Sequence, residues 1–192
     1  MNPTTDMKGE HAAITIMIEA MKALATNIRY NKVVDLQRAD QIIDFLHVFT
    51  DRCHYEKEEK SLFPALQAFD IPWILKMIQQ LVIEHATARS YIDELDDRLR
   101  GYRSGNKKSL ESLSDCLIKY ATLEEYHIKT EENIVLPMCE KLLDKKKLLT
   151  ITSDFKKIQN QEVGHIKHME YYLLLSKLYN ENQGIPENNY QD

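Results

Sequence analysis

Apolar residues recur at a spacing near 3.6 through almost the whole chain, and nothing else in the sequence constrains the fold as strongly. The first predicted helix spans about residues 6–29, with Ile14, Ile18, Met21 and Ala25 on one stripe. Asn31 and Lys32 break it, and Asp35 is placed to cap a second helix that runs to about Phe63, with Pro64 ending it within a turn or two. Asp70 before Ile71-Pro72 marks a third start, since proline suits a first helical turn. That helix carries Ile74, Ile78, Leu81, Val82, Ile92 and Leu95 up to Gly101 and the turn at Arg103-Ser104-Gly105-Asn106. A fourth helix runs from about Ser109 to Pro137, and Thr152-Ser153-Asp154 offers a cap for a fifth that reaches about Tyr179.

Short connections make neighbouring helices antiparallel. The expectation is an all-α fold: an up-down-up-down four-helix bundle with an additional C-terminal helix. It forms a single domain over 1–180, with the four-helix core at about 6–143, the fifth helix at about 153–180 and a polar tail over 181–192 expected to fray.

Composition removes the rival classes. Gly 5 and Pro 5 are too few for the many turns of a sandwich or barrel. Lys+Arg 25 against Asp+Glu 30, a formal charge of -5, argues against a nucleic-acid partner. No apolar run approaches the roughly 20 residues of a membrane span, and the stretch from Met1 to Glu10 is polar, so a soluble cytoplasmic protein is expected. Cys53, Cys116 and Cys139 are odd in number and far apart, which reads as core thiols of a reducing compartment.

Within this helical frame lies a duplication. Glu10-His11-Ala12 recurs as Glu84-His85-Ala86. His54, with Glu58, Glu59 and Pro64 at +4, +5 and +10, recurs as His127 with Glu131, Glu132 and Pro137 at the same offsets. His11 to His54 is 43 residues and His85 to His127 is 42, about one helix pair out and back. A histidine and a glutamate four apart share a helix face about 6 Å apart along the axis. At ~100° per residue, Ile43, His47, Thr50 and Ala65 align with His54, and Cys116, Tyr120, Ile134 and Met138 with His127. Ile74, Ile78 and Ile92 align with His85, and Ile18 with His11. Four imidazoles and two carboxylates therefore point into the core.

One His-x-x-x-Glu pair alone is most simply a surface helix pair. Two matched copies facing inward are not, because two unpaired carboxylates in a dry bundle carry a severe desolvation cost. Metal removes the conflict. Two ions suit the count, each taking two of His11, His54, His85 and His127, with Glu58, Glu131 and a solvent-derived oxo or hydroxo group as bridges and room for an exogenous ligand.

With these residues laid out, the chain resembles the hemerythrin family in its HHE cation-binding branch, over about Lys8 to Leu143. The marks are His11, the run from His54 through Glu58-Glu59 into Leu62-Phe63-Pro64, His85 followed by Arg89, and the run from His127 through Glu131-Glu132 into Leu136-Pro137. The resemblance implies two non-haem iron ions, with the four histidines as terminal ligands and Glu58 and Glu131 bridging. Manganese or zinc could substitute, since imidazole-carboxylate sites accept several metals. Oxygen-carrying hemerythrins use five histidines, with His-x-x-x-His on the third helix. Here Arg89 holds the +4 position, so the pattern is closer to the four-histidine, two-glutamate sites of iron-centre repair proteins, which are associated with nitric oxide, peroxide and iron chemistry.

The expected function is therefore binding of O2, NO or peroxide at a carboxylate-bridged di-iron centre, in oxidative or nitrosative stress or iron homeostasis. The alternative is a metal or redox sensor, or an iron-donating interaction protein with a redox or iron-acceptor partner and no turnover. Peroxide decomposition or NO reduction, as opposed to reversible binding, depends on polar neighbours, for which His47 and Tyr120 are the candidates. Ile14, Ile18, Thr50, Ile92 and Leu123 are expected to wall the chamber. Glu59 and Glu132, ~140° from their histidines, are expected to support or pair at the surface. Arg89 is expected to pair with a bridging carboxylate or guide anions, or else to form an exposed ion pair, and Tyr55 and Tyr126 to flank the ligands. His165 and His168 are expected on the outer face of the fifth helix, the alternative being that either caps the site or supplies a fifth histidine.

Overall fold

A computed structural model describes residues 2–182, and these form six helical rods with no strand among the described residues. We label them α1 (Pro3–Asn31), α2 (residues 36–67), α3 (Pro72–Arg103), α4 (residues 109–142), α5 (Lys145–Glu162) and α6 (Gly164–Asn182). The first four make the expected bundle. α1 and α3 pack along α4, α2 closes the fourth side against α1 and α3, α5 lies over the middle of α2, and α6 lies along α1. Among the described residues, no helix is long and apolar enough to cross a membrane.

Local chemistry sets the boundaries. The Asn2 side chain accepts from the Thr4 N–H at 3.3 Å ahead of Pro3, and Lys32 ends α1 in a left-handed conformation. Asp35 caps α2 as the sequence suggests, accepting from the Arg38 N–H at 3.0 Å. Asp70 does not cap α3. It takes a left-handed turn at φ 52°, and extended Ile71 is the capping residue in front of Pro72. α3 also continues through Gly101 to Arg103.

The expected single fifth helix is two. Asp144, rather than Thr152-Ser153-Asp154, supplies the cap, accepting from the Lys147 N–H at 2.8 Å. Thr152 lies inside the helix and donates to the Leu148 carbonyl at 2.9 Å. Gly164, at φ 68°, adopts a conformation that side chains disfavour, and there the chain turns from α5 into α6. Of the tail expected to fray over 181–192, Glu181 and Asn182 are still helical, and residues 183–192 lie outside the described residues.

Neither α2 nor α4 is a regular α-helix. Residues Leu46–Tyr55, Glu58–Leu62 and Glu131–Val135 are wound as wider π-turns. Two of these turns are equivalent: the Phe63 N–H bonds the Glu58 carbonyl and the Leu136 N–H bonds the Glu131 carbonyl, each five residues back and each just before a proline. The widening shifts the register on which the stripes were projected. Ile134 is 44% exposed while Val135 is fully buried, and His47 turns away from His54.

The apolar core is cut in two. One cluster gathers Ile14, Ile18, Phe45, Ala88, Ile92 and Leu117, and the other gathers Met7, Leu62, Leu66, Ile78, Leu81 and Val135. Between them lies a polar layer.

Candidate metal centre

One face of each bundle helix supplies this layer. His11 comes from α1, His54 and Glu58 from α2, His85 from α3, and His127 and Glu131 from α4, and all six are 0–1% exposed. Their inner atoms converge. Glu131 Oε2 is 3.2 Å from His11 Nε2, and Glu131 Oε1 is 3.5 Å from His127 Nε2. Glu58 Oε1 is 3.6 Å from His54 Nε2, and Glu58 Oε2 is 3.1 Å from His85 Nε2. Two four-residue sets result, His11-His54-Glu58-Glu131 and Glu58-His85-His127-Glu131, with ligand-type atoms in each set lying within 4.8 Å of one another. Both carboxylates belong to both sets.

The outer ring nitrogens show a second regularity. Nδ1 of His11, His54, His85 and His127 faces Glu132 at 3.2 Å, Glu10 at 3.0 Å, Glu59 at 2.7 Å and Glu84 at 2.9 Å, respectively. A carboxylate only accepts, so each Nδ1 carries a proton, which leaves Nε2 as the ring atom that can offer a lone pair to a cation. The pattern is exchanged between helices. The glutamate before each Glu-His histidine holds the histidine of the adjacent His-x-x-x-Glu-Glu run, and the second glutamate of that run holds a Glu-His histidine. Glu59 and Glu132 thus support histidines on neighbouring helices. Glu10 and Glu84 drew no role from the sequence, although their place in the duplicated Glu-His-Ala was the available signal.

Electrostatics make the layer untenable as a neutral dry interior. His85 Nε2 and His127 Nε2 face one another at 3.0 Å. His54 Nε2, both oxygens of Glu58 and Glu131 Oε1 are buried with no hydrogen-bond partner among the described residues. Burial pushes His127 down, but Glu131, Glu58 and Glu84 together carry it well above the ordinary imidazole range. Burial likewise pushes Glu58 up, but His54, His127 and His85 hold it well below the carboxylate range. Glu131 is raised, by burial and then by the charge of Glu58. Positive charge among these atoms relieves all of these conflicts, and the donor set of four imidazoles and two carboxylates suits divalent cations. By contrast, burial pushes the thiols of Cys53, Cys116 and Cys139 up to about 12, so they are poor metal ligands.

A family model settles the kinship. Residues 2–139 match the hemerythrin HHE cation binding domain. The chain belongs to the hemerythrin HHE family. No curated protein and no solved structure matches it. As in the family's name, this hemerythrin-like chain carries a cation-binding domain, and the two His/Glu sets are where its bundle can hold metal.

Several outer residues depart from expectation. The His47 side chain is 36% exposed and faces Asp96 at 3.3 Å, away from the chamber, because the π-turns of α2 rotate it off the His54 face. Tyr120 is fully buried, as are Ile14, Ile18, Thr50 and Ile92, but Leu123 is only half-buried and Glu124 takes its place in the wall. Tyr55 stacks on the His85 ring with centroids 3.9 Å apart, whereas Tyr126 is 66% exposed. Arg89 pairs with Asp51 at 2.6 Å and with Glu59 at 3.0 Å. His165 and His168 are exposed and supply no fifth histidine. Lys57 had drawn no role from the sequence. It is 1% exposed, pairs with Glu10, donates to Gln159 Oε1 at 3.2 Å and lies over the Phe155 ring. It thereby ties α5 to the group that holds His54.

Proposed function

We propose that this hemerythrin-like protein is a non-haem di-iron protein that binds a small oxidant, O2, NO or peroxide. His11 and His54 would hold one ion and His85 and His127 the other, with Glu58 and Glu131 shared between them. The observation that carries the reading is the sharing of both buried carboxylates between two histidine pairs. A structural zinc site is complete with four ligands and leaves no reason for six. When bound, a pair of redox-active ions would supply electrons and an attachment point for the oxidant. The chain's own part is to fix every imidazole through a carboxylate at Nδ1, and to keep bulk water away with Ile14, Ile18, Ala88 and Ile92.

Elemental analysis of the purified protein tests this reading, with two irons per chain expected. Replacing His54 and Glu58 together by alanine should abolish metal, and unchanged content overturns the ligand assignment. One observation favours a sensing role beside ligand binding. The run from His54 through Glu10 and Lys57 to Gln159 links the centre to α5, so loading and α5 docking are coupled. Three buried free thiols support residence in a reducing compartment such as the cytoplasm.

A further inference from the structure

One bundle layer beyond the histidines, polar atoms gather inside the apolar wall. Thr50 precedes His54 by about one helical turn, and Glu124 and Tyr120 precede His127 by about one and two. Thr50 and Tyr120 are 0% exposed and Glu124 is 1% exposed, among Ile14, Ile18, Ala88 and Ile92. Tyr55, also fully buried, donates its hydroxyl to Glu124 Oε2 at 2.5 Å. The Tyr120 hydroxyl is close enough to those of Tyr55 and Thr50 to interact electrostatically with both, but neither contact has the geometry of a hydrogen bond. Yet Thr50 Oγ1, Tyr120 Oη and Glu124 Oε1 complete no hydrogen bond among the described residues.

Buried polar atoms in native proteins have partners, and three orphans in one place share the same need. Two of them are hydroxyls with a proton to donate, and the third is a carboxylate oxygen that can only accept. A single small molecule bearing an O–H group fits that set: it donates to Glu124 Oε1 and accepts from Tyr120 and Thr50. An aprotic diatomic can accept from a hydroxyl but has no proton for Glu124 Oε1, and so leaves that oxygen unsatisfied.

We propose that Thr50, Tyr55, Tyr120 and Glu124 form a polar subsite adjoining the metal centre that binds one small hydroxylic molecule, water or hydrogen peroxide. Tyr55 is the shared wall. Its ring stacks on His85 at 3.9 Å while its hydroxyl anchors Glu124. The peroxide arm rests on the di-iron reading above, and the water arm does not.

The test uses the full chain as purified, with Tyr120→Phe, Thr50→Val and the double variant, each of which removes a hydroxyl while keeping shape. With an occupied subsite, each single variant lowers Tm by about 2–4 °C, and the double variant lowers it by less than the sum. A Tyr120→Phe protein whose Tm is unchanged or higher overturns the subsite, because removing a truly orphaned hydroxyl relieves a burial penalty. Iron per chain, measured on the same samples, reports on the metal reading independently. Peroxide consumption then separates the sources. If Tyr120→Phe slows it several-fold at unchanged iron content, peroxide occupies the subsite. If the rate is unaltered, or the wild-type protein consumes none, the occupant is water.

Discussion

Glu84 holds the outer nitrogen of His127 at 2.9 Å, and both side chains come from the second copy of the duplicated motif, on adjacent antiparallel helices. The contact fixes which ring nitrogen of His127 is free to face the centre. Its equivalent in the first copy is Glu10 with His54 at 3.0 Å.

Substituting Glu84 by glutamine keeps the shape and removes the charge. The amide can present its NH2 to Nδ1 and favour the wrong tautomer, so metal affinity is expected to fall about 10–100-fold with the fold intact. Competition titration against a chelator measures it. An affinity within twofold of wild type would dismiss the orienting role of Glu84.

Lys57 is a buried cation whose carboxylate partner, Glu10, is itself nearly buried. Lys57→Met leaves Glu10 without its counter-charge and is expected to destabilise the protein by about 3–5 kcal/mol, read by urea denaturation. A loss below about 1 kcal/mol would place the pair in effectively high dielectric. The same variant should loosen α5, detectable as faster hydrogen exchange over Lys145–Glu162.

The metal-free protein should be most stable in mildly acidic solution. His127 is raised above its ordinary 6.5 because Glu131, Glu58 and Glu84 outweigh burial, so its contribution is complete below 6.5 and fades as pH rises through the folded value. Glu58 is lowered below its ordinary 4.5 because its histidine neighbours outweigh burial, so its contribution is present above 4.5 and is lost as pH falls through the folded value. Glu131, raised above its ordinary 4.5 by burial and by Glu58, opposes folding increasingly as pH climbs from 4.5 through its folded value. The window in which both gains hold is pH 4.5–6.5. Metal needs unprotonated imidazoles, so the loaded protein should gain on the metal-free one as pH increases. Calorimetry with and without chelator checks this, and a metal-free Tm that climbs steadily to neutral pH contradicts it.

Gly164→Ala places a side chain at φ 68°. The expected cost is about 1–2 kcal/mol, confined to the α5–α6 junction, with metal content unchanged. Thermal unfolding and elemental analysis together test the locality of the effect.

The bundle was legible because helical periodicity and short turns are local properties, and the six converging residues were legible because the duplication repeats their offsets. The outer carboxylates were harder. Glu10 and Glu84 support histidines on a neighbouring helix, so their role exists only once the helices are packed. His47 and Ile134 were misplaced for another reason. Projection at ~100° per residue assumes regular winding, and the widened turns of α2 and α4 break that assumption just where the ligand-type residues lie. The split of the last segment into α5 and α6 turned on one glycine, which tolerates a helix interior and a left-handed junction alike.

Each widened turn carries a surplus residue relative to a regular helix spanning the same rise. Excising one codon there, at Asn133 for instance, would return the segment to regular winding and leave what lies beyond it in its present register. Leu136 and Cys139 would keep their places in the interior, and only the turn from Glu131 to Val135 would repack. Each half of the duplicated motif thus carries its own removable insertion beside its glutamate pair, and either can be excised without touching the other.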